Sequence, residues 1–393
     1  MKNSAYLIIF VTIFIDLIGF GIVLPILPNY ARDLNATPWM IGLIAAAFSL
    51  MQFFMAPIWG AFSDRVGRRP VILWGLLVTV VSYLIFSQAD SIWLLLVSRL
   101  LAGVGSANVS TAQAYLTDIS DAKDRSKAMG VIGAAFGLGF IFGPPLGGLI
   151  KATLGIAWVG YIAALLSGVS LVVAFAFLSE SLKEKKTERP FAMVDISVLL
   201  AAFKKERTKF FLAINFFYIF AFVNLQVCLA LLLKEHYELD DAGIGYAFAY
   251  IGLISALVQG RFIGIFTKYF SEQKVLFAGT VLMTLGIVLI PFTPQAALIS
   301  IGLITLGTMA FGNALITPTN AALLTKTSSE GQHGSTLGVL QSVGALARIL
   351  GPFSGSLLYA WNYHAPFLFG ALMTLLASLC AWMILRLSVS EKS

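Results

Sequence analysis

Long uncharged stretches alternate with short polar ones along nearly the whole chain. A helix rises 1.5 Å per residue, so about 20 apolar residues cross a bilayer. By that measure the pattern predicts twelve spans: 5–29, 39–62, 71–89, 91–116, 127–150, 155–179, 209–233, 243–267, 274–291, 295–323, 335–360 and 364–387. The longest polar interruption runs from Glu180 to Lys209 and holds Lys183, Lys185, Lys186, Arg189, Lys204, Lys205, Arg207 and Lys209. Within it an apolar patch, Ile196 to Phe203, reads as a helix lying in the membrane interface. The expected fold is therefore an all-α membrane protein whose twelve transmembrane helices form two pseudo-symmetric six-helix bundles. Residues 1–179 make the N-terminal bundle, 180–208 a cytoplasmic linker and 209–393 the C-terminal bundle.

The two halves read as repeats. With an offset of 204, Gly60 meets Gly264, Asp64 meets Lys268, Arg68 and Arg69 meet Glu272 and Gln273, and Val71 meets Val275. With an offset of 208, Gly130 meets Gly338, Gly143-Pro144 meets Gly351-Pro352, and Gly147 meets Gly355. Parallel repeats of this length are a mark of secondary transporters.

Composition agrees with the pattern. The 393 residues are 59% hydrophobic and 11% charged, with a mean hydropathy of +0.89. A soluble domain carries about a quarter charged residues. The net charge of +7 raises nucleic acid as a partner only if the cations share a surface. Here they fall in loops between spans. With both termini cytoplasmic, 20 of the 26 Lys and Arg lie inside, Arg32, Lys151 and Lys234 lie outside, and Arg99, Arg261 and Arg348 lie within spans. This asymmetry is the positive-inside rule and fixes the expected topology. Cys228 and Cys380 fall in apolar runs and read as small core residues. The first apolar run is span-length with no cleavage pattern, so it is expected to stay as helix 1.

The sequence lacks His/Cys metal spacing, a phosphate-cradling loop and a nucleophile elbow. No enzyme, metal or cofactor is expected, and no stretch is long enough for a nucleotide-driven motor domain. Movement is then downhill or driven by a gradient. Asp16 stands about 15–18 Å into a hydrocarbon core ~30 Å thick. A carboxylate there is costly unless it faces a wet cavity, pairs with a cation or is protonated, and each fate suits a proton-coupled carrier. The bland alternative is an Asp hydrogen-bonded between helices. Arg348, also near mid-depth, reads as a counter-ion for Asp16 or for an anionic substrate group, or as half of a structural ion pair. Arg99 lies about 12 Å into helix 4 and can snorkel only partway. Arg261 stands near a helix end, where snorkelling suffices.

Helix 5 carries Gly133, Gly137, Gly139, Gly143, Gly147 and Gly148 with Pro144 and Pro145. Small residues at such intervals let another helix approach closely, and the prolines bend the helix. That suits tight packing and also a rocking contact. Amides scattered through the spans include Gln52, Asn108, Gln113, Asn215, Gln226 and Gln341. Most such groups join helices; these six, with Asp16 and Arg348, are the candidates for a substrate cavity.

The turn Gly60-Ala-Phe-Ser-Asp64-Arg65-Val-Gly67-Arg68-Arg69 resembles the loop between helices 2 and 3 of the major facilitator superfamily at six defined positions. Arg99-Leu-Leu-Ala-Gly103-Val-Gly105 resembles that family's helix 4 motif, whose Arg is linked to proton transfer. Gly139 to Gly148 resembles the helix 5 motif of its antiporters. Asp16 to Pro28 is similar to helix 1 of the tetracycline-resistance exporters in the twelve-helix drug:proton antiporter group. The resemblance implies a monomer in the bacterial inner membrane, with proton coupling at Asp16 and Arg99. It implies gating by Gly60, Asp64, Arg65, Gly67, Arg68, Arg69, Asp118, Gly139, Gly143, Pro144, Gly147 and Gly148. In it, Arg68 pairs with Asp118 and Asp64 sits against the N-terminus of helix 11. The sequence departs from tetracycline exporters at Ser82, where they carry an acid, at Ser255, where they carry a His, and in helix 9, where Val275 to Ile290 has no charge. Tetracycline is therefore not the expected substrate.

The expected function is proton-coupled efflux of small amphipathic compounds by alternating access, with protons, a small-molecule substrate and the lipid bilayer as partners and no nucleic acid. A lipid or anionic metabolite carrier on the same scaffold is the second reading, with Arg348 binding a phosphate or carboxylate. A membrane enzyme lacks the clustered His, Asp or Glu it needs. The repeats and Gly-Pro helices fit rocking better than a fixed pore.

Overall fold

The computed structural model describes residues 2–119, 125–182, 207–327 and 333–390. The linker beyond Leu182, with its apolar patch and six of its eight cations, lies outside the described residues. Within them there are helices and turns and no strand. The first half holds α1 (Lys2–Val23), α2 (Leu27–Asp33), α3 (Pro38–Val66), α4 (Arg68–Ser87), α5 (Ile92–Ser106), α6 (Asn108–Ile119), α7 (Arg125–Leu154) and α8 (Ile156–Phe177). The second holds α9 (Thr208–Glu235), α10 (Asp241–Leu257), α11 (Ile263–Tyr269), α12 (Glu272–Leu289), α13 (Leu303–Lys326), α14 (His333–Trp361) and α15 (Ala365–Ser390).

Among the described residues ten spans are long and apolar enough to cross a membrane, and Leu7–Val23 with Leu27–Asp33 makes an eleventh bent by 43°. The 30-residue α7 accounts for the twelfth expected span. Several spans differ from the uninterrupted helices that hydropathy alone suggests. The first stops at Val23 because Pro25 has no N–H to donate and disfavours helical backbone at Leu24. It restarts as α2 with Pro28 in the first turn, where a missing N–H costs nothing. The fourth is interrupted at Ala107, between α5 and α6. The eighth contains a π-helical turn, Val258–Phe262, between α10 and α11.

The chain forms two compact units, residues 1–194 with 239–249, and residues 195–238 with 250–393. Within the first, α7 lies on α1 through its glycine stripe. A Cβ at Gly143 would stand 2.7 Å from the Gly21 Cα, and one at Gly147 would strike the Ile22 carbonyl. Within the second, α14 lies on α9 in the same way. A Cβ at Gly351 would stand 2.8 Å from the Phe220 carbonyl oxygen, and one at Gly355 would strike the Asn224 side chain. Equivalent glycines of the two repeats thus carry the helix 5–helix 1 contact in one unit and the helix 11–helix 7 contact in the other. Only a residue without a side chain permits backbones to come this close.

Candidate functional site

In the first unit α1, α4 and α5 bring together Asp16, Tyr83 and Arg99. Asp16 is half-buried, and its Oδ1 is sealed with no hydrogen-bond partner. Among the described residues no cation lies within ion-pairing distance of it. Gly19, one turn on from Asp16, makes room for Tyr83: a Cβ there would stand 3.2 Å from the Tyr83 hydroxyl. Tyr83 feels the charges of both Asp16 and Arg99. Arg99 is 2% exposed, and its Nε and Nη2 have no acceptor. Its guanidinium instead lies 5.7 Å from the Phe86 ring centroid and 6.0 Å from that of Tyr83, where the aromatic faces offset part of the cost of a buried cation. A carboxyl group with an orphaned oxygen and a guanidinium with orphaned N–H groups, one tyrosine apart, store electrostatic stress that a proton or a ligand relieves.

The charged turn between α3 and α4 is bound down on several sides. Arg68 is 7% exposed. It pairs with Asp64 at 2.5 Å and with Asp118 of α6 at 3.1 Å, and its Nη1 donates to Ser63 Oγ at 2.5 Å. Glu180 closes the turn from beyond α8: its carboxylate accepts from the Arg68 and Arg69 backbone N–H groups at 2.8 and 3.1 Å. An acid is favoured at that position by the exposed N–H groups of the α4 N-terminus. Gly67 is required there, because its φ is +117° and a Cβ would run into the Glu180 carboxylate. Arg69 Nη2 donates to the Phe175 carbonyl in the last turn of α8 at 2.7 Å, an end that favours cations. Arg65 and Gly60 flank this network on α3.

Farther along α7, Lys151 pairs with Asp241 at 3.0 Å and reaches Asp33 at 4.0 Å. Beside it, a Cβ at Gly148 would meet the Asp241 backbone, and Pro144 packs on Gly21 and Gly245. A Cβ at Gly139 would press on the backbone of Leu17.

In the second unit Arg348 sits at the middle of α14 and is half-buried. Among the described residues it has no carboxylate within ion-pairing distance. The ionisable side chain in its reach is Tyr218 of α9, which shares a hydrogen bond with Thr317 of α13. Asn215 is buried and donates to the Leu340 carbonyl at 2.8 Å. Asn224 and Asn320 likewise donate to backbone carbonyls, those of Pro366 and Phe211, so these three amides join helices. Gln52 and Gln226 are half-buried, and Gln113 and Gln341 are exposed. The side chain of Asn108 lies outside the described residues.

Sequence reasoning passed over Tyr83, Tyr218, Glu180 and Ser63. A tyrosine inside an apolar span is itself a signal, since its hydroxyl needs a polar partner. Glu180 gave no signal, because it read as the first residue of a solvated linker.

The model described as Major Facilitator Superfamily matches residues 9–263 and 211–393. The tetracycline resistance protein, class C, of Escherichia coli is 31% identical over 374 residues, covering 92% of each chain. The multidrug resistance protein 2 of Bacillus subtilis (strain 168) is 27% identical over 373 residues, covering 94% of this chain and 92% of its own length. Among solved structures, the human organic anion transporter MFSD10 (TETRAN) superposes with a TM-score of 0.71 at 26% identity, covering 97% of this chain and 99% of that one.

Proposed function

The chain belongs to the Major Facilitator Superfamily, and from that premise we propose that it exports small amphipathic compounds across the bacterial inner membrane in exchange for protons. One observation carries the proposal: among the described residues Asp16, in the middle of α1, has neither a hydrogen-bond donor for its sealed Oδ1 nor a counter-ion within ion-pairing distance. A carboxyl group so placed is a site where a proton is taken up and given back. Tyr83 lies against Gly19, one turn from Asp16, and within 6.0 Å of the Arg99 guanidinium, so one tyrosine stands beside both buried ionisable groups. Asp16 takes a proton from outside and releases it inside as substrate leaves. Alternating access between two six-helix halves, with both termini cytoplasmic, supplies the motion. The glycine stripes of α7 and α14 are close, low-bulk contacts suited to such rocking. The network around Arg68 acts as the gate.

Relatives named for tetracycline and multidrug resistance support export of small compounds, and the organic anion transporter extends the class to anions. The test uses inside-out membrane vesicles carrying an imposed pH gradient and a fluorescent amphipathic dye. Wild type accumulates dye only while the gradient lasts, and Asp16→Asn accumulates none while still binding the dye. Full gradient-driven accumulation by Asp16→Asn contradicts the assignment.

A further inference from the structure

Resting on the reading of the chain as a carrier of small amphipathic compounds, we infer that Arg348 receives an anionic oxygen group, a carboxylate or phosphate, borne on an apolar body.

Two arginines stand deep in the helices, and their surroundings differ. Arg99 is sealed against Phe86 and Tyr83 and leaves no surface for a ligand. Arg348 keeps part of its surface open. It is the sixteenth residue of the 29 in α14, so no helix end is near enough to carry its charge into water. Among its described residues the second unit sets no acid within ion-pairing distance of it. In α9 and α12–α15 the carboxylates stand only at helix ends: Glu235, close to the Tyr359 hydroxyl, and Glu272, held by Lys326. A guanidinium stays charged and presents five donors in a planar fork that matches a carboxylate or phosphate. Left uncompensated in a membrane it is costly, and an arriving anion offsets that cost.

The groups beside Arg348 are those that recognise an anionic head group. Gly344, one turn before it, bears no side chain. A Cβ there would stand 3.4 Å from Arg348 Nη1, 3.2 Å from Asn215 Nδ2 and 2.8 Å from the Ile219 methyl group. The lack of a side chain at Gly344 thus lets a guanidinium, an amide and an alkyl group converge over it more closely than a Cβ would allow. Asn215 commits one N–H to Leu340 and has a second to offer. Tyr218, beside Thr317, walls the site on the α9 side, and the Thr317 hydroxyl is spent on the Asn313 carbonyl at 3.1 Å. Donors on one side and Ile219 on the other suit an amphipathic anion.

The test measures equilibrium binding of 1-naphthylacetate and its neutral amide, 1-naphthylacetamide, to the full-length protein in phosphatidylcholine nanodiscs. Wild type binds the acid about tenfold or more tightly than the amide, the margin of a charge-assisted hydrogen-bonded pair. Arg348→Gln erases that margin, and Arg348→Lys keeps a smaller one because it lacks the fork. Asp16→Asn retains the margin, so failure of the proton assignment and failure of anion recognition are read separately. Adding phosphatidylglycerol distinguishes the source of the anion. Competition with the acid that disappears in Arg348→Gln assigns the position to a lipid phosphate, and its absence assigns it to the free amphiphile. A wild type that does not prefer the acid, whether neither compound binds or both bind alike, overturns the inference. So does a margin that survives in Arg348→Gln.

Discussion

The two units share a scaffold and differ in where they keep charge. In both, a glycine stripe seats one helix on another: Gly143 and Gly147 on α1, Gly351 and Gly355 on α9. In both, an ion pair ties the helix opening after the short turn to a later helix of the unit, but its polarity is reversed. Arg68 meets Asp118 in the first unit, and Glu272 meets Lys326 at 2.7 Å in the second. Glu272 follows Arg68 by 204 residues and Lys326 follows Asp118 by 208, the offsets that relate the repeats. A pair can keep its geometry while its charges exchange places, so the second copy of the turn, which looks degenerate letter by letter, retains its tether. Burial separates the two. Arg68 is nearly sealed and shared among Asp64, Asp118 and Ser63, whereas the Lys326 side chain is 64% exposed.

The largest expected effect falls on the first unit. Arg68→Ala leaves two carboxylates facing each other and removes a mostly buried pair, which costs about 3 kcal/mol or more. Thermal unfolding in detergent shows a clear loss of stability, and gradient-driven dye accumulation falls to background. Lys326→Ala removes an exposed pair worth about 0–1 kcal/mol. If the two variants melt alike, burial does not distinguish the units.

The glycine stripes give a smaller contrast. Gly147→Ala drives a methyl group into the Ile22 backbone, which cannot turn aside, and costs about 1–3 kcal/mol. Gly355→Ala meets the Asn224 side chain, which can rotate at the expense of its bond to Pro366, so the cost is lower, near 1 kcal/mol. Melting of both variants checks the order, and a larger loss for Gly355→Ala reverses it. The smallest effect is a charge exchange: Glu272→Lys combined with Lys326→Glu restores the polarity of the first unit and shifts stability by no more than about 0.5 kcal/mol.

Hydropathy and charge asymmetry made the spans legible because each transmembrane helix must satisfy its own backbone and exclude charge. Their interruptions were less so. The break at Val23 was readable from Pro25 and Pro28, while the interruption at Ala107 has no proline to announce it, and Gly103 and Gly105 before it look like packing positions. Asp16, Arg99 and Arg348 were legible because ionised groups in apolar runs are conspicuous. What surrounds each was not, since Tyr83, Phe86, Tyr218 and Gly344 come from other helices or look like ordinary span residues. Glu180 was hidden for a different reason: its partners are backbone N–H groups more than 110 residues earlier, which no side-chain pattern reveals.

On the proposed function, proton exchange belongs to the first unit, where Asp16 lies, and not to the second, whose described membrane helices keep their acids at their ends. Infrared difference spectroscopy of the protein in nanodiscs across a pH titration tests this most directly. A protonated-carboxyl stretching band is expected to titrate in wild type, to shift when substrate is added and to be missing in Asp16→Asn. A band that persists unchanged in Asp16→Asn, or a wild type without one, contradicts proton exchange at Asp16.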